Sequence, residues 1–287
     1  MKHLYLFLTM VHVFAFQKQI DDILKDGIKQ HLFPGAAVIV GDSRAVLCER
    51  YYGFHTYEPG TVAVMQNSLF DLASLSKVIG TTMMTMLLYQ DKLLNLDDCI
   101  GEYFSSCKED EKENITIKDL LTHVSGLQPD EKVEKIDIKD GETHASAVIR
   151  HILGLPLQCK PRMKVIYSCL NFYLLAAINE KVAGEAQNSF LKRRFFEPLR
   201  INPLYCISGE NQKRCVPTTL SLQGVVHDPL ARFYGLESGM PGNAGLFSTV
   251  SDVAPFCEMI LQRGFYQGKQ ILKPELVDLM IKSYTFS

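Results

Sequence analysis

From Val78 to Leu88 the chain carries no charged residue, and Ser74-Leu75-Ser76-Lys77 stands at the head of that run. So dense an apolar stretch, with Ile79, Met83, Met84, Met86 and Leu87 spread through it, predicts a helix packed inside the protein. The placement has a chemical corollary. Residues i and i+3 share a helix face, so the Lys77 amine reaches the Ser74 oxygen. Burial disfavours an ammonium, which lets the lysine take the serine proton and makes the hydroxyl nucleophilic without a histidine. The helix N-terminus adds oriented N–H groups near the reacting centre. The alternative is a capped core helix with no chemistry.

The bare S-x-x-K pattern is expected about once by chance in a chain of this size, and it occurs at Ser74, Ser105 and Ser189. Ser105 leads into the charged run Lys108 to Glu113, and Ser189 leads into Lys192, Arg193 and Arg194, so both of those lysines stay solvated and protonated. Only Lys77 has apolar surroundings.

At 287 residues the chain builds one large or two small domains, and 47% hydrophobic with 22% charged residues is the composition of a soluble globular protein. A net charge of −2 and a pI near 6.4 leave no basic footprint, which argues against nucleic acid as a partner. Residues 1–15 read as a signal peptide: Met1-Lys2-His3 is a basic start, Leu4 to Phe14 an apolar core, and cleavage is expected after Ala15. The core is too short to span a membrane, and its alternative is a buried or amphipathic first helix. Secretion makes disulfides possible among the eight cysteines, with Cys206–Cys215 and Cys99–Cys107 as the preferred pairs. The cysteine spacings match no zinc pattern, and neither a metal nor a cofactor is expected. Asn114-Ile115-Thr116 is a glycosylation sequon in a polar stretch.

Helical spacing over Gln19 to Gln30 is followed by a predicted hairpin, Ala36 to Val40 and Ala45 to Arg50, ended by Tyr51-Tyr52-Gly53. Helical patterns then dominate: Ile117 to Thr122, Ala145 to Leu153, Leu170 to Val182, and Ser189 to Phe196 closed by Pro198. One more helix is expected over Lys273 to Lys282. A hairpin, a long helical block and then mixed structure suggest an α/β layer interrupted by a helical insertion.

Four segments together resemble the serine β-lactamase, penicillin-binding protein and esterase family, most of all its class C-like esterase branch. Phe70 to Thr82 (FDLASLSKVIGTT) looks like the nucleophile motif, and Asn114 to Leu127 (NITIKDLLTHVSGL) like a stretch of the helical domain. Pro161 to Ile178 resembles the tyrosine motif, and His227 to Phe256 the return into the α/β domain. The resemblance implies an α/β (α+β) fold over about 19–280, an antiparallel sheet flanked by helices with a large helical insertion. The α/β part would be about 19–82 and 235–287, and the helical part about 83–234. It also implies roles: Ser74 as acyl-accepting nucleophile, Lys77 as the group sharing its proton, and Tyr167 as the second proton-transfer group, by phenolate or hydrogen bond to Lys77. The Ser74 N–H would be half of an oxyanion hole.

Two departures stand out. The family carries Asn or Asp two residues after the tyrosine, where this chain has Cys169, while Asn171 would face elsewhere on the helix. The family's Lys-x-Gly or His-x-Gly triplet lies beyond the last residue here, so the late sheet strands are expected to be missing; Asn243-Ala244-Gly245 is not that triplet. His123 and His227-Asp228 invite a Ser-His-Asp reading, but there is no G-x-S-x-G elbow, and in the family both segments are structural. The leading expectation is a secreted serine hydrolase acting on a small-molecule ester, amide or peptide through an acyl-enzyme. The alternative is a catalytically inactive, shortened relative that binds a ligand or partner, or a fragment.

Overall fold

The strands Gly35–Gly41 and Val46–Gly53 pair antiparallel around a turn in which the Asp42 carboxylate accepts the N–H groups of Arg44 and Ala45. The computed structural model describes residues 2–107, 111–205 and 208–284, with side chains from residue 16 onward apart from 237 and 238. The second strand continues through Tyr51-Tyr52-Gly53, which were expected to end it. The register sets Gly53 opposite Gly35 and buries Tyr52, whose hydroxyl donates to Asp21 at 2.5 Å. Asp21 belongs to the first helix, Lys2–Lys29, whose C-terminal end covers the expected Gln19 to Gln30 pattern as far as Lys29.

A second sheet delivers the Ser74 segment. Its central strand, Leu69–Asp71, pairs in parallel with Cys215–Val216 and antiparallel with Phe247–Ser248. Three short strands drawn from three distant parts of the chain thus meet just ahead of Ser74.

The apolar run forms the expected internal helix. It enters as a π-helical turn, Lys77–Thr82, and continues as the α-helix Met83–Gln90, with Met83, Met84 and Leu88 fully buried. The methionines are therefore core packing. The partner helix is Leu170–Ala183, also buried along most of its length. Between the two lies a polar seam. Asn179 donates to the Thr81 carbonyl and to Thr85 Oγ1, Gln187 donates to Thr81 Oγ1, and Thr81 Oγ1 donates to the Gly242 carbonyl at 2.7 Å. Buried polar groups satisfied in this way fix one register between helices that apolar contacts alone would let slide. Gly242 has φ +84° and a Cβ there would lie 2.2 Å from the Phe172 carbonyl oxygen, so only glycine lets this loop sit on the helix.

The remaining helical expectations hold with small changes at their ends: Ile117–Leu121, His144–Gly154, Leu170–Ala183 and Pro274–Ile281. Pro198 does not close its helix. Gln187–Leu191 passes into a π-helical Lys192–Phe196, and the helix runs on through Pro198 to end at Leu199. Arg200, at φ +56°, makes the stop.

The Cys99–Cys107 pair is not formed. Cys99 is a free thiol that caps the helix Ile100–Tyr103, while the Cys107 thiol is buried and donates to the Phe104 carbonyl. Cys206 lies outside the described residues; its expected partner Cys215 is buried and donates to the Asn211 carbonyl. Asn114 of the sequon is exposed, and Thr116 caps the helix Ile117–Leu121. Among the described residues no helix is long and apolar enough to cross a membrane.

Candidate active site

Ser74 is held by a knot of backbone contacts. The Asp71 carboxylate accepts the N–H of Ala73 and, from the far end of the chain, that of His227, each at 2.8 Å. Leu72 N–H donates to the Leu246 carbonyl, and Leu246 N–H donates to the buried Ser76 hydroxyl at 3.1 Å. Ala73 takes φ +45°, an uncommon conformation for a residue with a Cβ, which these contacts hold in place. The serine between them is exposed.

Lys77 is the counterpart in every respect. Only 2% of it is exposed, and its Nζ has three hydrogen-bonding partners. They are Ser74 Oγ at 3.0 Å, the Asn243 carbonyl at 3.0 Å and Cys169 Sγ at 3.4 Å. A buried lysine amine thus meets a solvent-facing hydroxyl at hydrogen-bonding distance. The i, i+3 expectation is met in the tight turn ahead of the π-helical segment, where the Lys77 N–H donates to the Ser74 carbonyl at 3.1 Å.

Tyr167 reaches the same lysine by its ring face. Lys77 Nζ lies 5.1 Å from the Tyr167 ring centroid and 5.6 Å from that of Phe172, a cation–π arrangement and not a hydrogen bond to the phenol oxygen. Tyr167 is half exposed and stacks on His123 with centroids 4.5 Å apart. Together Ser74, Lys77, His123 and Tyr167 line one end of a cavity of about 320 Å³ whose walls include Met86 and Met280.

His123 is the site residue that sequence reasoning set aside. Its Nδ1 accepts the Ser168 N–H at 3.0 Å, which places the ring proton of the neutral form on Nε2. Burial, and secondarily the charge of Lys77, hold its pKa down at about 4. The only hint in the chain was its place in the THVSGL segment. His227 and Asp228 form no triad with Ser74: Asp228 caps the helix Pro229–Ser238 and accepts from Asn243 Nδ2 at 3.0 Å.

The two departures resolve differently. Asn171 does turn away; it is buried, accepts from Ser125 Oγ at 2.7 Å and donates to the Leu120 carbonyl at 3.0 Å. Cys169 takes the position beside Lys77, and burial pushes its thiol pKa up. Asp130 lies close by, its carboxyl pKa also raised by burial. Of the other two S-x-x-K copies, Ser189 and Lys192 are both exposed, and Lys108 lies outside the described residues.

The family profile described as Beta-lactamase matches residues 20–283. An N-acetylmuramyl-L-alanine amidase of Bacillus subtilis (strain 168) is 26% identical over 284 residues, covering 86% of this chain and 63% of the relative. The chain spans 63–65% of the length of the first curated relatives it matches. Among solved structures, EstCE1, a hydrolase with promiscuous acyltransferase activity, superposes with a TM-score of 0.77 at 20% identity, covering 94% of this chain and 77% of that one. The octameric penicillin-binding protein homologue from Pyrococcus abyssi gives 0.75 at 21% identity, covering 93% and 60%. At those identities the structural likeness speaks for the fold.

Proposed function

The chain belongs to the β-lactamase family, and from that premise we propose that it is a serine hydrolase in which Ser74 attacks an ester, amide or peptide carbonyl and carries the acyl group. The observation that carries this reading is the 3.0 Å contact between the buried Lys77 amine and the exposed Ser74 hydroxyl. Lys77 takes the hydroxyl proton as the Ser74 oxygen bonds to the carbonyl carbon, and the proton passes to the leaving group as the scissile bond breaks. The Ser74 N–H serves as a donor to the developing oxyanion, while Tyr167 covers the Lys77 amine with its ring face and not its phenol oxygen, so its part is to pack over the lysine and not to pass the proton. Water then releases the acyl group by the reverse route. Support for an amide or ester substrate comes from the relatives, one named an amidase and one described as an acyl-transferring hydrolase.

The test is covalent labelling. A fluorophosphonate or fluorescent β-lactam probe should modify Ser74, located by peptide mass spectrometry, and Ser74→Ala should abolish the signal. Because Ser74 is exposed, that substitution should leave thermal stability within ~0.5 kcal/mol of the parent. An adduct on Ser105 or Ser189 with Ser74 unmodified would overturn the assignment.

We also propose that the protein enters the secretory pathway. The basic start Met1-Lys2-His3 and the apolar Leu4 to Phe14 support it. N-terminal sequencing of protein from its native source should then begin at Phe16, and retention of Met1 would refute it.

A further inference from the structure

Next to Lys77, which reaches Cys169 Sγ, the residues Asp130, Cys169 and Asp228 bring one ligand atom each to within 4.8 Å of one another. They come from three separate segments. Cys169 stands at the N-cap of Leu170–Ala183, Asp228 at the N-cap of Pro229–Ser238, and Asp130 on the loop after Leu127. The Cys169 N–H donates to the Pro129 carbonyl at 2.7 Å, which fastens that loop to the cysteine.

One buried polar group at the edge of this cluster lacks a partner among the described residues. Asn243 is fully buried; its Nδ2 donates to Asp228, and its Oδ1 accepts from nothing among the described residues. Asn243 borders the cluster through contacts at both of its ends: its side-chain Nδ2 donates to Asp228, and its backbone carbonyl accepts from the Lys77 amine that also reaches Cys169 Sγ. An orphaned buried amide oxygen is costly unless something electropositive meets it.

We propose that Asp130, Cys169 and Asp228 form a divalent-cation site suited to zinc, with Asn243 Oδ1 as a candidate fourth donor. The donor set selects the metal. A thiolate with two carboxylates is borderline-soft and low in ligand number, which fits zinc and its tetrahedral surrogate cobalt. Calcium and magnesium take oxygen donors only and would be indifferent to Cys169. Binding forms a metal–sulfur bond and releases the thiol proton to solvent. Lys77 gives up its contact with Cys169 Sγ and keeps those with Ser74 and the Asn243 carbonyl. The sequence hides this site because its ligands share no local spacing. The proposal does not depend on whether Ser74 is acylated.

The experiment uses the full chain, stripped with a chelator and titrated with zinc chloride by calorimetry and with cobalt chloride by absorption. One metal per chain is expected, with visible bands of tetrahedral cobalt and a near-ultraviolet thiolate charge-transfer band. Removing even an outer-shell partner costs about 10–100-fold in metal affinity, so Cys169→Ser should weaken zinc at least that much and erase the charge-transfer band. Asp130→Asn, at an exposed position where folding is not at stake, should weaken zinc similarly and remove its thermal stabilisation of the protein. Cys257→Ser, the exposed thiol elsewhere, should change neither. Absence of the charge-transfer band in the parent chain would overturn the proposal. So would a band that survives Cys169→Ser, or zinc affinity unmoved by Asp130→Asn.

Discussion

Replacing Lys77 by methionine separates chemistry from packing at this site. The two side chains are close in length, so the buried space stays filled, but the three hydrogen bonds to Ser74, Asn243 and Cys169 are lost. Ser74 is exposed and water replaces the lost donor at no net cost. The Asn243 carbonyl is buried and loses its partner, a penalty of about 1–3 kcal/mol. Against this, the lysine amine no longer has to be kept out of water; exchanging a buried polar or ionic group for an apolar one of similar volume is often neutral or stabilising by about 1–4 kcal/mol. The opposing terms nearly cancel, and the melting temperature should move by no more than about 5 °C, taking roughly 2–4 °C per kcal/mol for a chain of this size. Probe labelling of Ser74 should fall far more, by about 10²–10⁴-fold, the usual worth of a positioned general base. The assay pairs thermal unfolding with the second-order rate of fluorophosphonate labelling. A folded Lys77→Met protein that labels at the parent rate would refute proton transfer through Lys77.

Three further outcomes follow from neighbouring residues. Cys169→Asn restores an amide 3.4 Å from the Lys77 amine and should speed labelling roughly fivefold, the equivalent of one neutral hydrogen bond of about 1 kcal/mol; an unchanged or slower rate would show that the thiol is not what limits the site. His123, with its pKa held down at about 4 against an ordinary 6.5, binds its proton more weakly in the folded state than in the unfolded one. The unfolded chain therefore carries more protons between those values, and stability should fall as pH drops from about 6.5 towards 4. The loss is at most about 3 kcal/mol and closer to 1–2 because the ring is partly exposed. Denaturant titrations of His123→Gln should show a shallower acid slope, and an identical slope would refute the assignment. Gly242→Ala should be strongly destabilising, by about 3 kcal/mol or more, because φ is +84° and the new Cβ meets a backbone carbonyl; calorimetric unfolding within 1 °C of the parent would contradict the close packing of that loop on Phe172.

Much of the site was legible before the fold was known, for reasons that are local. Ser74 and Lys77 are three residues apart at the head of an uncharged run, and short-range geometry on a buried helix brings them together whatever the rest of the chain does. The same logic turned Asn171 away from the lysine and put Cys169 beside it, because two positions apart on a helix means different faces. Hairpin and helix positions followed from hydrophobic period and capping, with errors confined to ends such as Gly53 and Pro198, where pairing across space outweighed the local signal.

Other features have no local signature at all. The third acceptor of Lys77 is a backbone carbonyl, which any residue at 243 would supply, and only the Gly242 loop seated on Phe172 brings it there. His123 looked structural from its segment, yet it stacks on Tyr167 because the Ser168 N–H pins its ring. The Cys99–Cys107 pairing rests on proximity in sequence, and the fold sets the two apart in role: Cys99 stands at a helix N-cap with its N–H on Glu102, and the buried Cys107 thiol donates to the Phe104 carbonyl. The meeting of Asp130, Cys169 and Asp228 depends on two helix N-termini and a loop arriving at one point. Sequence by itself determined what is carried by contacts a few residues apart: the buried helix, its serine and its lysine. Tertiary structure alone decided what is carried by contacts far apart along the chain, since periodicity says which face of an element is buried and not what it is buried against.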